Sequence, residues 1–437
     1  MTNKYSEEFV IRDNTLLLYN SFRHKKVTVN HNISIIAQAS FMGHSEIEQI
    51  ILPESITQIS KFAFAECHGI REITIGKNVC EISDDAFDGC SSLSAFYVDK
   101  ENPFFKSVDG VIYSRDGKTL IRVPSCYQGN DVFIIPDGVE IVAVNAFNRV
   151  MGIRNIIIPD SVKEIGYKAL CYCDDLEEIK IGASIKSIGY CALSNARSLK
   201  RIIVDEGNKN YTTDNNALYS YDKKTLIQLP CASMVTDFAI KSTVTAIEDR
   251  AFSNHKHLTQ ISSESPFFKS VDGVLFNASM DTLLAYPTKR KVKTYIVPEG
   301  VNEISGSAFQ GCSEIDEVVL GKSLKKIARH GFESSTVSII TGGEGLEHIG
   351  WCSFSLCNNL RNLDFSKTRL SYVNGGAFSF CASLERIILP STVNRIIRWA
   401  FMGCNSLKSI EFTGDISHLL FDGASFFITE DEFGKIY

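Results

Sequence analysis

Apolar positions along this chain recur in a frame much longer than a helical turn or a strand alternation. One phrase, "IGxxAFxxCxxLxxIxI", returns again and again, and the residue after its alanine serves as an anchor. Anchors fall at Phe41, Phe64, Phe87, Phe147, Leu170, Leu193, Phe252, Phe309, Phe332, Phe354, Phe378 and Phe401. Six of the eleven steps between them are 23 residues, and the steps ending at Phe354 and Phe378 differ by one. The other three steps, of 60, 59 and 57 residues, read as one period plus an insert of 34 to 37 residues. Within each copy, apolar residues stand eight and five before the anchor and six, nine and eleven after it. Around Phe64 these are Ile56, Ile59, Ile70, Ile73 and Ile75; around Leu170 they are Val162, Ile165, Leu176, Ile179 and Ile181. The Leu-x-x-Ile-x-Ile segment alternates with period two and is rich in β-branched residues, which predicts a strand. "IGxxAFxxC" is too short and too punctuated by glycine for a long helix, so it predicts a return made of turns or a short helix. A unit of this size cannot bury its own apolar edge, whereas stacked units align like residues into one core. The predicted fold is a curved repeat solenoid of twelve repeats with a parallel β-sheet on one side.

"IILPESITQISKFAFAECHGIREITIG", "IIIPDSVKEIGYKALCYCDDLEEIKIG" and "IILPSTVNRIIRWAFMGCNSLKSIEF" carry this pattern most fully. They resemble the BspA-type leucine-rich repeat, a class common in bacteria and in some parasitic protists, and the resemblance runs over nearly the whole chain. The inserts beginning at Asn102, Asn208 and Ser265 resemble the hairpin-bearing variant unit of that family. Asp109-Gly110 and Asp272-Gly273 sit between apolar alternations as hairpin turn dipeptides. The resulting division is an N-terminal hairpin cap over 1–30, a leucine-rich-repeat solenoid over 31–412, and a C-terminal cap or tail over 413–437. Hairpin inserts are expected near 99–135, 205–240 and 264–298. The resemblance implies a binding module, such as an adhesin or a receptor for host or partner proteins.

Composition adds exclusions. The 437 residues are 44% hydrophobic and 22% charged, which suits a folded core and not a disordered tail. Lys and Arg number 45 against 51 Asp and Glu, a net charge of −6. A phosphate backbone meets no uniform cationic surface, so the expected partner is a protein and not a nucleic acid. No stretch reaches the roughly 20 apolar residues of a membrane-crossing helix. The first apolar run, Thr15 to Tyr19, is too short for a secretory h-region. A cytoplasmic location is therefore expected, with secretion or surface display as the alternative, and a monomer is expected over an oligomer.

Candidate chemistry is sparse. Gly321-Lys322-Ser323 lacks the upstream glycine of a phosphate-binding loop, and neither His-Glu-x-x-His nor Gly-x-Ser-x-Gly occurs. No catalytic residues and no cofactor are expected. Of 13 cysteines, seven (Cys67, Cys90, Cys173, Cys312, Cys357, Cys381, Cys404) stand three residues after an anchor, as a ladder of small buried thiols. His255-x-His257, in the cysteine slot of its repeat, and Cys171-x-Cys173 with Cys191 lack the ligand number and spacing of a metal site. Trp351 and Trp399, just before anchors, read as core or turn aromatics.

The surface with most to offer is the solvent side of the repeat strands. Strict alternation points the residues eight and ten after each anchor away from the core, onto the concave face. From these columns come the candidate partner-binding residues Ile51, Tyr97, Ile157, Glu178, Lys180, Arg201, Ile203, Val319, Arg386 and Ile388. An apolar stripe beside a polar one is what a protein-binding face offers; plain β-propensity would also favour such residues in a sheet. Tyr97 and Arg201 lead as anchors of a partner, because Tyr and Arg are enriched at interface hot spots. The paired aromatics Phe104-Phe105 and Phe267-Phe268, with Tyr113, Tyr219 and Tyr221, form a competing surface on the inserts. Their recurrence within one chain favours packing over recognition. The expected function is a non-catalytic protein-binding scaffold, with a cell-surface adhesin or host-interaction protein as the alternative.

Overall fold

A computed structural model describes residues 8–29 and 32–422. They fall into two units, Met1–Tyr221 and Asp222–Tyr437, each a parallel β-solenoid. Every regular turn carries three hydrogen-bonded ladders where the sequence pattern predicts one strand. The long strand comes from the Leu-x-x-Ile-x-Ile segment, as in Asn155–Ile158, Glu178–Ile181 and Arg201–Val204, where Ile156, Ile179 and Ile202 stand in register. A two-residue strand ends on the apolar residue five before the anchor; Ile141–Val142, Glu164–Ile165 and Ser187–Ile188 pair in this way. The third ladder runs through the anchors themselves: the Phe147 N–H donates to the Ala169 carbonyl at 2.7 Å, and the Leu170 N–H to Ala192 at 2.8 Å.

This third ladder explains why the returns hold no helix among the described residues. Residues two before and two after an anchor take left-handed backbone angles: Asn145 (56°) and Arg149 (60°) about Phe147, Lys168 (52°) and Tyr172 (58°) about Leu170. A left-handed residue on either side breaks the i→i−4 pattern of an α-helix. It turns the anchor N–H toward the next repeat. Short-helix returns are therefore replaced by paired turns.

The count of twelve repeats is also corrected. Sixteen long strands occur among the described residues, eight in each unit. Four turns have anchors outside the phrase: Tyr19, Val123, Leu229 and Tyr286 donate their N–H groups to Ser40, Ala146, Ala251 and Ala308, the bond that defines an anchor. Each long insert thus holds a hairpin followed by a complete turn that rejoins the frame. Phe105–Val108 pairs antiparallel with Val111–Ser114, and that strand with Thr119–Arg122, which joins the short-strand ladder at Ile141–Val142. Phe268–Val271, Val274–Asn277 and Thr282–Ala285 repeat the arrangement.

The hairpin turns are Asp109-Gly110 and Asp272-Gly273, with positive φ at both residues, as the right-handed twist of a two-residue hairpin requires. Asn215-Asn216 joins Tyr211–Asp214 to Ala217–Ser220 in the same way. Two tips reach the long-strand ladder through the backbone, Gly110 accepting the N–H of Phe96 and Gly273 that of Ile261, both at 2.9 Å, while Asn216 Nδ2 donates to the Lys200 carbonyl at 3.0 Å. The base of the first hairpin is held by buried Asn102. Its amide donates to the Gly76 and Val79 carbonyls at 2.8 and 2.9 Å and accepts from the Phe104 and Phe105 N–H groups. Asn208 makes the same four bonds at the second hairpin.

At the N-terminal end, Phe9–Arg12 and Thr15–Tyr19 form a hairpin through left-handed Asp13 and Asn14, and Thr15–Tyr19 pairs with the short strand Ile35–Ile36. At the other end, Leu420–Asp422 pairs parallel with Arg395–Ile397, adding a strand where the sequence pattern loses the frame. The rest of the expected tail, 423–437, lies outside the described residues.

The core is a stack of anchors. Phe309, Phe332, Phe354, Phe378 and Phe401 are parallel within 11° at centroid spacings of 4.6 to 5.4 Å. Tyr286 extends the stack at 4.8 Å. The cysteine ladder beside it is a hydrogen-bonded ladder as well as a buried one. Cys67, Cys90, Cys173, Cys357, Cys381 and Cys404 donate their S–H groups to the carbonyl of the preceding anchor at 2.9 to 3.0 Å. His44 occupies the slot in the first such turn, and its Nε2 meets the Tyr19 carbonyl at 3.0 Å.

Candidate functional site

Alternation along the long strands turns two columns toward the core and two to the surface. Ile73, Phe96, Ile156, Ile179 and Ile202 are buried, while their neighbours face solvent. Of the residues singled out from sequence, Ile51, Tyr97, Lys180, Arg201, Ile203 and Arg386 are exposed, and Ile157, Glu178, Val319 and Ile388 are half-buried. In the first unit Ile157, Lys180 and Ile203 are direct cross-strand partners, as are Glu178 and Arg201. In the second unit Val319 lies on Glu317–Leu320, whereas Arg386 and Ile388 share Arg386–Leu389.

The sequence frame missed the two most exposed apolar residues on this face. Ile134 and Ile296 are 63% and 66% exposed, on the long strands of turns whose anchors are Val123 and Tyr286. Their signal was present: Ile134 stands 23 residues before Ile157 and Ile296 23 before Val319, and each pair is in register. Val132 and Ile339 are further exposed aliphatics on long strands.

Charges on the face are matched within the chain. Arg201 reaches Glu178 at 2.5 Å, and Lys180 approaches the same carboxylate at 3.9 Å. Arg386 binds Glu411 through Nε at 2.8 Å and Nη2 at 2.5 Å, and this bidentate bond raises its pKa. The Tyr97 hydroxyl points to Glu72 at 3.4 Å. The apolar groups therefore stand beside polar ones whose charges are already balanced.

The competing aromatics divide by depth. Tyr113 and Tyr219 are buried, and Phe105 packs on the core, whereas Phe104, Phe267 and Tyr221 are about half exposed. Trp351 is exposed, and Trp399 is half-buried beneath the Arg398 guanidinium, 4.4 Å from its ring. Both lie on the anchor turns, away from the long strands.

His255 is a core residue. Its Nδ1 accepts the N–H groups of His257 and Leu258 at 3.1 and 3.0 Å, and its Nε2 lies 2.8 Å from the Ser233 hydroxyl. Burial, and then the neighbouring His257, lowers its pKa to about 4. Burial raises the pKa of Cys90 to about 12, so that thiol is not a poised nucleophile. Among the described residues no three His, Cys, Asp or Glu side chains cluster as a metal site would require, and no helix is long and apolar enough to cross a membrane.

Comparison with known proteins agrees with this architecture. The profile of the BspA type leucine rich repeat region matches in six copies, over residues 13–107, 125–233, 230–283 and 284–408. Among solved structures, a leucine rich cell surface protein from Faecalibacterium prausnitzii is similar at 20% identity, with 94% of each chain covered and a TM-score of 0.45. The pneumococcal vaccine antigen PcpA is similar at 17% identity, covering 96% of this chain and 88% of its own, with a TM-score of 0.43. A leucine-rich repeat protein from Eubacterium ventriosum is similar at 19% identity, covering 97% and 95%, with a TM-score of 0.34. No curated protein matches. With its repeats matched from residue 13 to residue 408, the chain belongs to the BspA-type leucine-rich repeat family.

Proposed function

We propose that this protein is a non-catalytic scaffold that binds a protein partner on the exposed face of its long strands. The observation that carries this reading is the set of exposed aliphatic and aromatic side chains on hydrogen-bonded long strands, Ile51, Tyr97, Ile134 and Ile203 in the first unit and, separately, Ile296 and Ile339 in the second. Covering apolar surface is favourable by about 25 cal/mol per Å². Exposed apolar side chains grouped on one sheet, as Ile134 and Ile203 are, favour an interaction site there. Its backbone is ordered before any partner arrives, so little conformational entropy is lost on binding. Charged neighbours such as Arg201 and Glu178 supply a polar rim that sets orientation.

Affinity capture tests the reading. The purified chain, Tyr97→Ala/Arg201→Ala and Ile134→Asp are each presented to lysates of the source cell and of a candidate host cell. The expected result is a protein retained by the unmodified chain and lost from both variants, with unchanged thermal unfolding. Retention of the same proteins by all three would remove the long-strand face from the account. Fractionating the source cell then separates an internal scaffold from a surface adhesin using the same face.

A further inference from the structure

At a hairpin-bearing turn, the two neighbouring turns meet over its anchor. In the first unit, Asn148 Nδ2 reaches Asp88 Oδ1 at 3.2 Å over Val123. In the second, the Asn254 N–H reaches the Gln310 carbonyl at 3.2 Å over Tyr286.

The first of these places is filled by Arg122, whose residue is only 5% exposed. Its Nη1 donates to the Asn145 carbonyl at 2.7 Å and the Asp84 carbonyl at 3.4 Å, and its Nη2 to Asp88 Oδ1 at 3.1 Å. Counted from their anchors, the counterparts of Arg122, Asp84, Asp88, Asn145 and Asn148 are Ala285, Asp249, Ser253, Ser307 and Gln310. All five counterparts line one partly open cavity of about 40 Å³. Neither the arginine nor its carboxylate partner has a counterpart here, since Ala285 and Ser253 stand at their offsets, and the cavity lies against both residues. A single water needs only about 10–15 Å³, so the cavity has room for a larger polar group.

The lining keeps the acceptor pattern. The Ser307 carbonyl accepts the Gln310 N–H at 3.0 Å, as Asn145 accepts Asn148 at 3.0 Å; in Asn145 the same oxygen also takes Arg122. Glu248 and Asp249 are the carboxylates of the lining, and partial desolvation followed by the charge of Asp249 raises the Glu248 pKa. Asp249 is engaged by Arg329 at 3.6 Å, so Glu248 is the second carboxylate that the lining offers a cation. Nearby buried Arg250 approaches Glu333 at 3.9 Å, and Glu333 also accepts from Gln310 Nε2 at 2.5 Å. The lining supplies the Ser307 carbonyl and the Ser253 hydroxyl, which donates to the Arg250 carbonyl at 2.9 Å and keeps its own lone pairs as acceptors; a set of oxygen acceptors suits the planar five-donor guanidinium better than the point charge of lysine.

We propose that this cavity receives the guanidinium of an arginine carried by a protein partner, in the position that Arg122 holds in the first unit. The site is separate from the long-strand face, so it stands or falls independently of the function proposed above.

Calorimetric titration of the full chain tests it, with N-acetyl-arginine amide, its uncharged citrulline analogue and agmatine as probes. The arginine probe should bind saturably, with the citrulline analogue weaker by at least about tenfold, the loss expected for charge-assisted hydrogen bonds. Ala285→Arg should fill its own cavity, raise the melting temperature and abolish binding; Ser253→Asp should restore the carboxylate and tighten binding about tenfold. The site is disproved if neither the unmodified chain nor Ser253→Asp binds the arginine probe, if citrulline binds equally, or if folded Ala285→Arg binds as before. Tighter binding of agmatine than of the capped arginine would overturn the assignment to a protein-borne group.

Discussion

Individual residues in the anchor turns answer to hydrogen bonds that sequence periodicity does not display. The cysteine slot reads as small and apolar from its position, yet it is a donor slot: the carbonyl of the preceding anchor, which already accepts a backbone N–H as Phe332 accepts Ser335, takes the thiol as a second donor to its remaining lone pair. Cys357→Ala should therefore cost about 1–3 kcal/mol, with Cys357→Ser recovering part of it by keeping a hydroxyl donor; denaturant unfolding measures both. In thiol labelling of the native chain, exposed Cys80 should react first and buried Cys67, Cys90, Cys173 and Cys312 only on unfolding. His255 makes the same point about charge. Its folded pKa, lowered from 6.5 to about 4, means that the folded state resists protonation while the unfolded state takes up a proton. Its contribution is complete above pH 6.5 and falls away as the pH drops toward 4, by up to about 3 kcal/mol. Unfolding at pH 5 should take up a proton that is missing in His255→Gln, and equal proton uptake by the two chains would refute the assignment.

At the scale of elements, the long strand was legible because alternation and β-branching mark it directly, as in Ile179-Lys180-Ile181. The short strand was not, since two residues carry no periodicity; only the recurrence of Ile165 and its equivalents marks it. The left-handed turns were hidden because most of their positions are not glycine: Lys168, Tyr172 and Trp399 give no local cue. Anchors substituted by Val123 or Leu229 escaped for a related reason, as the defining feature is a backbone bond and not a side chain. Phe309→Ala should cost roughly 3–5 kcal/mol, because the ring is buried between Tyr286 and Phe332 and its removal leaves a cavity that rigid neighbours cannot close. An unmoved unfolding transition would mean that the stack is misassigned. Asn102→Ala should cost about 2–4 kcal/mol and raise hydrogen exchange at Phe104 and Phe105, since it removes one hydrogen bond from each of two carbonyls and two N–H groups, of which the Gly76 carbonyl keeps the Val79 N–H. Unchanged exchange there would show that the hairpin is held by its side chains alone.

At the scale of the molecule, repetition sets both what the chain can do and how well its sequence reveals it. Contacts between neighbouring turns make stability nearly a sum of local terms, so surface substitutions on one turn leave distant turns intact. That separability lets binding be tested apart from folding: Arg201 and Glu178 form a surface pair worth no more than about 1 kcal/mol. The candidate face was legible as two columns of the repeat, but its most exposed members, Ile134 and Ile296, lay on turns hidden behind hairpins. The slot opposite Ala285 was not legible at all. It lies against small residues, Ala285 and Ser253, at the offsets of Arg122 and Asp88, and only the geometry around Arg122 shows what can fill such a place. The central claim, that the long-strand face is where a protein binds, is tested most directly by photocrosslinking. A photoreactive phenylalanine derivative is placed in turn at positions 97, 134 and 203, and at position 234, where Met234 is exposed outside the long strands. The account predicts one shared protein adduct from the first three positions and none from position 234. Adducts only from position 234, or none from any position on the face, would contradict it.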